Sequence, residues 1–376
     1  MLRTHKQWHN AEYERKTSVS KKHDNLFEKI IDPANVDDAY KKTQKAKLKY
    51  KISALQFSEN LTVNLEALRQ RVASGRYKPG DYHSFMVHEP KERLIFAPCF
   101  EDKIVQHMMN NVLIEIYEPC FIHDSYACIR NKGTQACVGR INSFQRRAKW
   151  EYGENAYIVK ADISKFFYSI DREILKRLLR KKIKCKGTLW LLGSIIDSSP
   201  GKIGLPLGNL TSQLFANIYL NHLDQHCKRV LRMKYYVRYA DDIVMIVRDK
   251  QCAKDTLDMV SSFTNESLKL ALHPEKSRVF PLLAVNAIGF KNFGTHRLLR
   301  NDCKKKVKRK IKAMPRLIME GRMSKEKANQ MLNSWLGHAR FGNSHNFVMS
   351  LLTRFAHIKM NNKNLLEIVE DNYAVL

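Results

Sequence analysis

The chain has 376 residues, is 44% hydrophobic and carries 66 Lys and Arg against 37 Asp and Glu, a formal net charge of +29. This length suits a large enzyme with two or three lobes. The charge favours a polyanionic partner, with nucleic acid first and an anionic membrane surface second. The longest apolar run, Leu189–Ile196, is too short to span a bilayer. H-E-x-x-H, G-x-S-x-G and Walker-type sequences are absent, which excludes zincins, serine hydrolases and P-loop enzymes; a basic ribosomal or chaperone-like protein stays open.

The N-terminal stretch and the cysteines bear on where the protein works. Met1–Lys22 is polar and basic and lacks the apolar segment of a secretory signal. The eight cysteines form no C-x-x-C pair. Free thiols in a reducing compartment are therefore expected, and a structural zinc site is disfavoured.

The predicted elements alternate between helices and strands after a basic extension over residues 1–55. Periodicity, Gly and Pro stops and a candidate N-cap at Asn209 set their bounds. In chain order they are helix Asn60–Gly75, two strands within Tyr82–Phe96, helix Glu101–Tyr117, strand Ala156–Ile163, helix Asp171–Ile183, a Gly- and Pro-rich loop Ser198–Gly208, helix Leu210–Val230, a hairpin Tyr236–Val247, helix Lys254–Leu270, and strands Arg278–Phe280 and Ala287–Phe293. This order is typical of a split β-α-β domain, in which helices back one sheet.

Two adjacent acids, Asp241 and Asp242, interrupt the otherwise apolar and aromatic strand pair Tyr236–Val247. Strand-forming residues flank them on both sides, so the acids are expected at or near the turn. Charge beside buried strands is costly unless something neutralises it, and a divalent cation commonly does so. The alternative is a solvated surface pair, as we expect for Asp37-Asp38.

A further acid, Asp162, ends its own predicted strand. In a layered β-α-β domain it could meet Asp241 across neighbouring strand ends. Carboxylates that converge from separate strands suit a pair of Mg²⁺ ions, one for an attacking oxygen and one for a leaving pyrophosphate. Phosphoryl transfer needs acids for metals and cations for phosphates, and the chain supplies both.

A basic amphipathic helix is predicted over Asn301–Arg316. Its apolar positions Val307, Ile311 and Met314 share one face, and a charge of one sign elsewhere favours contact with phosphates. A solvated charged face is the alternative. The next stretch, Ser324–Leu376, is predicted to be helical and to pack beside it. The basic positions are Lys304, Lys305, Lys306, Lys308, Arg309, Lys310 and Lys312.

Several segments, in order, resemble the motifs of reverse transcriptases. Asp162 with Phe166-Phe167 resembles motif A. The loop Gly204–Gln213 resembles motif B, and Tyr239-Ala-Asp-Asp242 resembles motif C. Further similarities are Arg93–His107 in the fingers, Ser125–Gly133, His273–Lys276 for motif D and Ile288–Phe290 for the primer-grip hairpin. The resemblance implies an α+β right-hand polymerase with fingers (56–155), a ferredoxin-like palm (156–293, with a fingers insertion around 176–203) and a helical basic thumb (294–376).

The resemblance also implies roles for single residues. Asp162 and Asp241 would bind two Mg²⁺ ions, Asp242 would assist, and the Ile163 carbonyl would be a backbone ligand. Phe167 would exclude a ribose 2′-hydroxyl and so select dNTPs, with a core aromatic as the alternative; Phe166 is expected in the core. The other nucleotide-binding residues would be Lys91, Arg93, Leu207, Gly208, Gln213 and Lys276, the last as general acid for pyrophosphate or else a solvated charge. Nucleic-acid contacts would come from Arg130, Lys132, Lys304, Lys305, Lys308, Arg309 and Lys312.

Motif B departs from most prokaryotic relatives, with Leu207 in place of Gln and Gln213 in place of Pro. With these departures, and with Thr295–Arg300 and Ser334–His338, the chain resembles the reverse transcriptases of diversity-generating retroelements. An aliphatic side chain at position 207 cannot hydrogen-bond the incoming nucleotide, so infidelity at template adenines is expected. The alternatives are a retron, group II intron-type or antiphage reverse transcriptase, or an RNA-binding scaffold with a vestigial site.

The implied reaction copies a retroelement template RNA into cDNA for mutagenic retrohoming. The implied partners are the template RNA, the RNA/cDNA duplex and a small basic helical accessory protein, without a membrane. The implied location is the cytoplasm of a bacterial, archaeal or phage-infected cell.

Overall fold

The computed structural model describes residues 22–44, 52–88 and 91–355, together with the short paired strands Lys359–Met360 and Lys363–Asn364. About half of the predicted basic extension, the turn residues Glu89-Pro90 and the end of the chain lie outside the described residues. The prediction that Ser324–Leu376 is helical is wrong beyond the helix that ends at Arg354, at Lys359–Met360 and Lys363–Asn364, because these residues pair as strands through backbone hydrogen bonds. The chain divides into two compact units. Unit 1 comprises Met1–Lys132, Val159–Met245 and Lys254–Arg278, and unit 2 comprises Gly133–Ile158, Ile246–Ala253 and Val279–Leu376.

The first part of unit 1 is mainly helical. Its helices are α1 Leu26–Ile30, α2 Pro33–Thr43, α3 Ile52–Glu59, α4 Leu61–Ala73 and α5 Phe100–Tyr117. Helix α2 begins where the Asp32 carboxylate accepts from the Ala34 N–H, and it packs against α5. Strands β1 His83–Val87 and β2 Arg93–Ala97 pair antiparallel between α4 and α5. The predicted helices and strand pair of this region are confirmed.

A four-stranded sheet brings the acidic strand ends together. Its strands are β3 Tyr157–Asp162, β4 Tyr235–Tyr239, β5 Asp242–Val247 and β6 Arg278–Pro281, in the order β4-β5-β3-β6. Strands β4 and β5 are almost continuously buried, as their apolar sequences predict. Because β3 lies beside β5, the strand that ends in Asp162 neighbours the strand that starts with Asp242.

The helices that follow these strands are α7 Phe166–Ser169, α8 Arg172–Arg180, α9 Lys186–Asp197, α10 Leu210–Gln225 and α11 Lys250–Leu268. Helix α10 packs against α5 and α8. It ends earlier than predicted, because the chain continues as one π-helical turn, His226–Val230.

Asn209 lies at the N-cap position of α10, as predicted, but its side chain does not cap the helix. Its amide donates to the Tyr82 hydroxyl at 2.8 Å. The Gln106 side chain of α5 instead accepts from the Leu210 N–H at 3.0 Å. A residue remote in sequence therefore satisfies one of the helix's unpaired donors.

Unit 2 is built around an apolar core beneath basic helices. Its helices are α6 Thr134–Tyr152, α12 Asn301–Met319, α13 Lys325–Arg340 and α14 His345–Arg354. The predicted apolar face of α12, Val307, Ile311 and Met314, is buried, which confirms the period. These side chains join a core with Val138, Phe290, Leu299, Leu332, Leu336, Val348 and Leu352, and Trp335 and Phe347 pack against it.

The second strand predicted in this region, Ala287–Phe293, is wrong as a single strand. It is two strands, β7 Val285–Ala287 and β8 Phe290–Asn292, which pair antiparallel and continue to β9 Arg297–Leu299. The chain reverses where Ile288 and Gly289 adopt φ values of 51° and 83°. Gly289 tolerates this left-handed conformation. The chain therefore turns here, and the predicted strand is divided into two.

All eight cysteines have free thiols. In the part of the chain that the structure describes, we find no helix long and apolar enough to cross a membrane.

Candidate active site

The turn between β4 and β5 holds one acid beside the end of β3. Ala240, in this turn, has a φ of 53°, an uncommon conformation for a residue with a side chain. The Asp241 carbonyl accepts from the Ile163 N–H at 3.3 Å. This bond ties the acidic turn to the residue that follows Asp162, so the two predicted catalytic strand ends meet.

Asp162 is held by the segment around Lys276. The Lys276 Nζ lies 2.7 Å from the Asp162 Oδ1, while the Asp162 carbonyl accepts from the His273 N–H at 2.7 Å. The Asp162 N–H donates to the Ser277 Oγ at 3.2 Å. The predicted motif D segment is thus placed directly at the first acid.

The electrostatics show three acids with cations close to them. Burial raises the pKa of Asp241, and the Asp162 charge raises it further, while the Lys276 and Arg93 charges lower it. Burial raises the pKa of Asp242 to about 6, against the attraction of Lys160. The Lys160 Nζ lies 3.4 Å from the Asp242 Oδ1, a buried oxygen without a hydrogen bond.

The donor set fits a divalent cation only in part. Carboxylate and carbonyl oxygens are the ligands that Mg²⁺ prefers. Burial is the main cause of the raised pKa values of Asp241 and Asp242, and it makes a charge on these acids costly without a cation. Within the described ranges, however, no group of three His, Cys, Asp or Glu side chains is arranged to hold a metal ion. Asp162 and Asp241 therefore form the candidate ligand pair, and the structure pairs Asp242 with Lys160.

Two of the predicted nucleotide-pocket residues, Leu207 and Gly208, lie in the loop before α10, and a third, Phe167, is bonded to it. The Leu205 N–H donates to the Phe167 carbonyl and the Phe96 N–H donates to the Leu207 carbonyl, both at 2.7 Å. Gly208 has a φ of 132°, and a Cβ there would lie 2.3 Å from the Phe96 carbonyl oxygen. Only glycine fits this contact, which fixes the loop against β2.

The two phenylalanines after Asp162 differ in burial. Phe166 is 3% exposed and lies in the core, as expected, whereas Phe167 is half-buried with its ring 5.4 Å from that of Phe166. Lys91, Arg93 and Gln213 are exposed. The sugar-excluding role of Phe167 stays a prediction.

Comparison with known proteins decides the family. The family described as reverse transcriptase (RNA-dependent DNA polymerase) matches residues 78–310, more than half of the chain. The chain belongs to the reverse transcriptase family. The predicted enzyme class, an RNA-directed DNA polymerase, is therefore confirmed.

Individual relatives are distant. Protein YkfC of Escherichia coli K12 is 24% identical over 277 residues, covering 61% of this chain and 70% of YkfC. The group II intron-encoded protein LtrA of Lactococcus lactis is 27% identical over 48% of this chain and 30% of LtrA. The retron Ec73 reverse transcriptase of Escherichia coli is 30% identical over 44% of this chain and 52% of that protein. The chain thus spans less than two thirds of the latter two relatives.

Among solved structures, telomerase from Candida albicans matches with a TM-score of 0.45 and 11% identity. That match covers 64% of this chain and 51% of the telomerase chain. A likeness this weak supports no argument about function.

Two nucleic-acid contacts of this reverse transcriptase were predicted in the segment 125–133. Arg130 is exposed. Lys132 instead donates to two carbonyl oxygens, of His123 at 2.5 Å and of Ser125 at 3.1 Å, and burial lowers its pKa. Its ammonium group therefore stabilises its own loop, and its contact with nucleic acid stays a prediction.

The other predicted contacts lie on α12 of unit 2. Lys305, Lys308, Arg309 and Lys312 are exposed and Lys304 is half-buried. The ammonium groups of Lys304 and Lys308 lie 5.2 and 5.5 Å from the Phe347 ring centroid. The helix thus carries a row of accessible cations above the apolar core, and their contact with nucleic acid stays a prediction.

Sequence reasoning missed two charged residues of unit 1, Lys160 and Arg238. Each interrupts a buried strand, and Arg238 has no exposed surface. A charged residue inside an apolar strand could have predicted this, because a buried charge needs a partner of opposite charge or a set of hydrogen bonds.

Proposed function

We propose that the chain is an RNA-directed DNA polymerase that copies a retroelement template RNA into cDNA. The observation that carries this proposal is the meeting of Asp162 with the Asp241 turn, in a chain of the reverse transcriptase family. The fingers, palm and thumb ranges predicted above, and a cytoplasmic site of action, belong to the same proposal.

Asp162, Asp241 and the Ile163 carbonyl would hold two Mg²⁺ ions, with Asp242 assisting. When bound, the ions supply activation of the primer 3′-oxygen and neutralisation of the leaving pyrophosphate. Lys160 neutralises part of the Asp242 charge from 3.4 Å and so keeps this acid oriented next to the pair.

The remaining residues orient the nucleotide. Arg93 and Lys91 are exposed at the start of β2 and would bind the triphosphate as cations. Phe167 would pack under the sugar and exclude a 2′-hydroxyl. The Lys276 Nζ lies 2.7 Å from the Asp162 Oδ1, and Lys276 would donate a proton to the pyrophosphate oxygen as general acid.

Primer extension on RNA with dNTPs and Mg²⁺ tests this proposal. The wild type should extend the primer, Asp241→Ala should not, and Phe167→Ala should incorporate ribonucleotides at a raised rate. Absence of extension by the folded wild-type chain on primed RNA contradicts the polymerase proposal and supports a scaffold with a vestigial site.

We further propose that the enzyme serves a diversity-generating retroelement, with a small basic helical protein as its accessory. Leu207 supports this assignment, because a leucine side chain makes no hydrogen bond to the nascent base pair. Its carbonyl is bound by the Phe96 N–H, so a substitution of the side chain leaves the loop anchored.

Leu207→Gln tests the subtype. The variant should lower misincorporation opposite template adenine, with errors at the other template bases unchanged, as read by sequencing the cDNA. An unchanged error spectrum contradicts the mutagenic assignment while leaving the polymerase proposal intact.

The second candidate is a retron or group II intron enzyme, which the similarity to Ec73 and LtrA favours. Sequencing of cDNA made on the native RNA separates them, because only the first copies a repeat with adenine-directed errors.

A further inference from the structure

Arg238 is a buried charge that the proposed reaction does not use. It lies in β4 with 0% exposure, and its guanidinium group pairs with Asp224, which is also fully buried. The Arg238 Nε and Nη2 atoms donate to the two Asp224 carboxylate oxygens, each at 2.7 Å. This fork geometry is the one that arginine provides and lysine does not.

The other donors of Arg238 reach three more segments. Its Nη2 donates to the Ser125 Oγ at 2.9 Å, and its Nη1 donates to the Asn217 Oδ1 at 3.2 Å. The Nη1 also donates to the Ala240 carbonyl at 3.1 Å. These bonds use all five N–H donors of the guanidinium group, so the side chain is fully satisfied in one orientation.

The bond to Ala240 acts on the catalytic turn. The Ala240 carbonyl belongs to the peptide group that joins Ala240 to Asp241, and a peptide group is planar. Fixing that carbonyl fixes the backbone nitrogen of Asp241, while the Asp241 carbonyl is bound by the Ile163 N–H. The peptide groups on both sides of Asp241 are thus anchored, although Ala240 holds an uncommon φ of 53°.

Stability alone does not account for this arrangement. Replacing a buried ion pair by apolar side chains of similar volume is often neutral or stabilising. Such a replacement keeps the packing and loses the bond to the turn. An apolar residue would also lose the bonds to Ser125 and Asn217, but the bond to Ala240 is the one that acts on the catalytic turn.

We propose that Arg238 is a positioning residue, which holds the Ala240–Asp241 peptide so that the Asp241 carboxylate faces Asp162. This inference rests on the proposed polymerase function for its kinetic test. Asp224 orients the guanidinium group, and Asn217 and Ser125 hold its far side.

Arg238→Lys in the full chain tests the proposal by primer extension. Lysine keeps the charge opposite Asp224 but cannot span from that acid to Ala240. We expect kcat to fall about 10- to 100-fold, as for a small displacement of a catalytic group. The Mg²⁺ concentration for half-maximal rate should rise, while KM for dNTP stays within about threefold because binding outside the metal pair is unaffected.

Tyr236→Phe is the matched control. It removes the hydrogen bond from the Tyr236 hydroxyl to the Asp224 Oδ1, at 2.6 Å, and leaves every Arg238 bond in place. We expect a lower melting temperature with kcat within about twofold of wild type. Equal losses of kcat in both variants, or an unchanged kcat in folded Arg238→Lys, overturn the proposal.

The double variant Arg238→Met with Asp224→Leu separates positioning from folding. We expect it to melt cooperatively but at a lower temperature than wild type, because Ser125, Asn217 and Tyr236 each lose a buried hydrogen-bond partner, with kcat as low as that of Arg238→Lys. A wild-type kcat in this variant refutes the positioning role.

Metal binding gives a readout that does not need polymerase activity. Mn²⁺ binding to each full-length variant, measured by electron paramagnetic resonance, should weaken in Arg238→Lys and stay near wild type in Tyr236→Phe. If the wild type binds Mn²⁺ and extends no primer, the proposed function fails while the positioning role remains supported. Equal affinities in the two variants contradict the positioning role.

Discussion

The two compact units differ in the charge that their described residues bury. Unit 1 buries charged and polar groups next to its acidic turn, with Arg238 and Asp224 both at 0% exposure. In the described part of unit 2 the buried polar side chains, Asn142, Gln145, Asn292 and Ser344, are uncharged and accompany an apolar core, and the lysines of α12 lie outside that core. Polar networks need every partner in place, whereas apolar packing tolerates exchange at constant volume. Unit 1 should therefore lose function through small changes that unit 2 would absorb.

The largest difference is expected at the catalytic pair. Asp241→Asn keeps the shape of the side chain and removes its charge, so primer extension should fall by more than about 100-fold. Circular dichroism should show an intact fold, since burial already disfavours the charged form of Asp241. A rate within tenfold of wild type contradicts the assignment of this acid.

A single methyl group should disable the loop before α10. In Gly208→Ala the Cβ would meet the Phe96 carbonyl oxygen at 2.3 Å, and the φ of 132° suits glycine. We expect a loss of about 1 to 3 kcal/mol in the free energy of unfolding and at least a tenfold loss of kcat/KM. Gly321→Ala in unit 2, at a φ of 67° and without a neighbour within 4 Å, is the matched control. Equal losses of activity in both variants contradict the loop assignment.

Two histidines of unit 1, the half-buried His222 and the buried His226, should make stability depend on pH. Burial lowers the pKa of His222 and of His226 to about 4, against about 6.5 in an unfolded chain. Between these values the unfolded state binds more protons, so the free energy of unfolding falls as pH falls from 6.5 to 4. The loss should reach roughly 3 kcal/mol for one histidine, measured by urea unfolding at several pH values.

The control for this slope is the double variant His222→Gln with His226→Gln. Its free energy of unfolding should vary less over the same range, because neither position then takes up a proton. If the free energy of unfolding of this variant depends on pH as steeply as that of wild type, groups other than these two histidines cause the dependence.

The smallest change is expected on the surface of unit 2. Lys308→Ala removes one exposed cation of α12, so affinity for an RNA/DNA duplex should fall only a few-fold. The slope of log affinity against log salt should decrease by about one. Titrations of fluorescent duplex at several salt concentrations measure both quantities. Lys254→Ala, at an exposed lysine of α11, removes the same charge away from α12 and is the matched control. Equal weakening there would exclude a specific phosphate contact at Lys308.

Local pattern was sufficient for much of this molecule. The period of α12 placed Val307, Ile311 and Met314 in the core, and the apolar run around Asp241 and Asp242 placed both acids at a hairpin turn. These features depend on neighbours along the chain, so sequence spacing reports them directly. The order of the motifs also reached the correct family.

Contacts between distant segments could not be read in this way. Gln106 rather than Asn209 binds the first N–H of α10, and Lys132 is engaged by its own loop. Lys160 beside Asp242 and the five bonds of Arg238 also depend on side chains brought together by the sheet order β4-β5-β3-β6.

By itself, the sequence determined the reverse transcriptase family, the acidic strand ends and the amphipathic helices. Each of these follows from residue types and their spacing along the chain. The tertiary structure decided which cation faces which acid and which donor holds the catalytic turn. Those choices depend on distances of a few ångströms between segments about 100 residues apart, such as Ser125 and Arg238, and hydrogen bonds and ion pairs form only at that range.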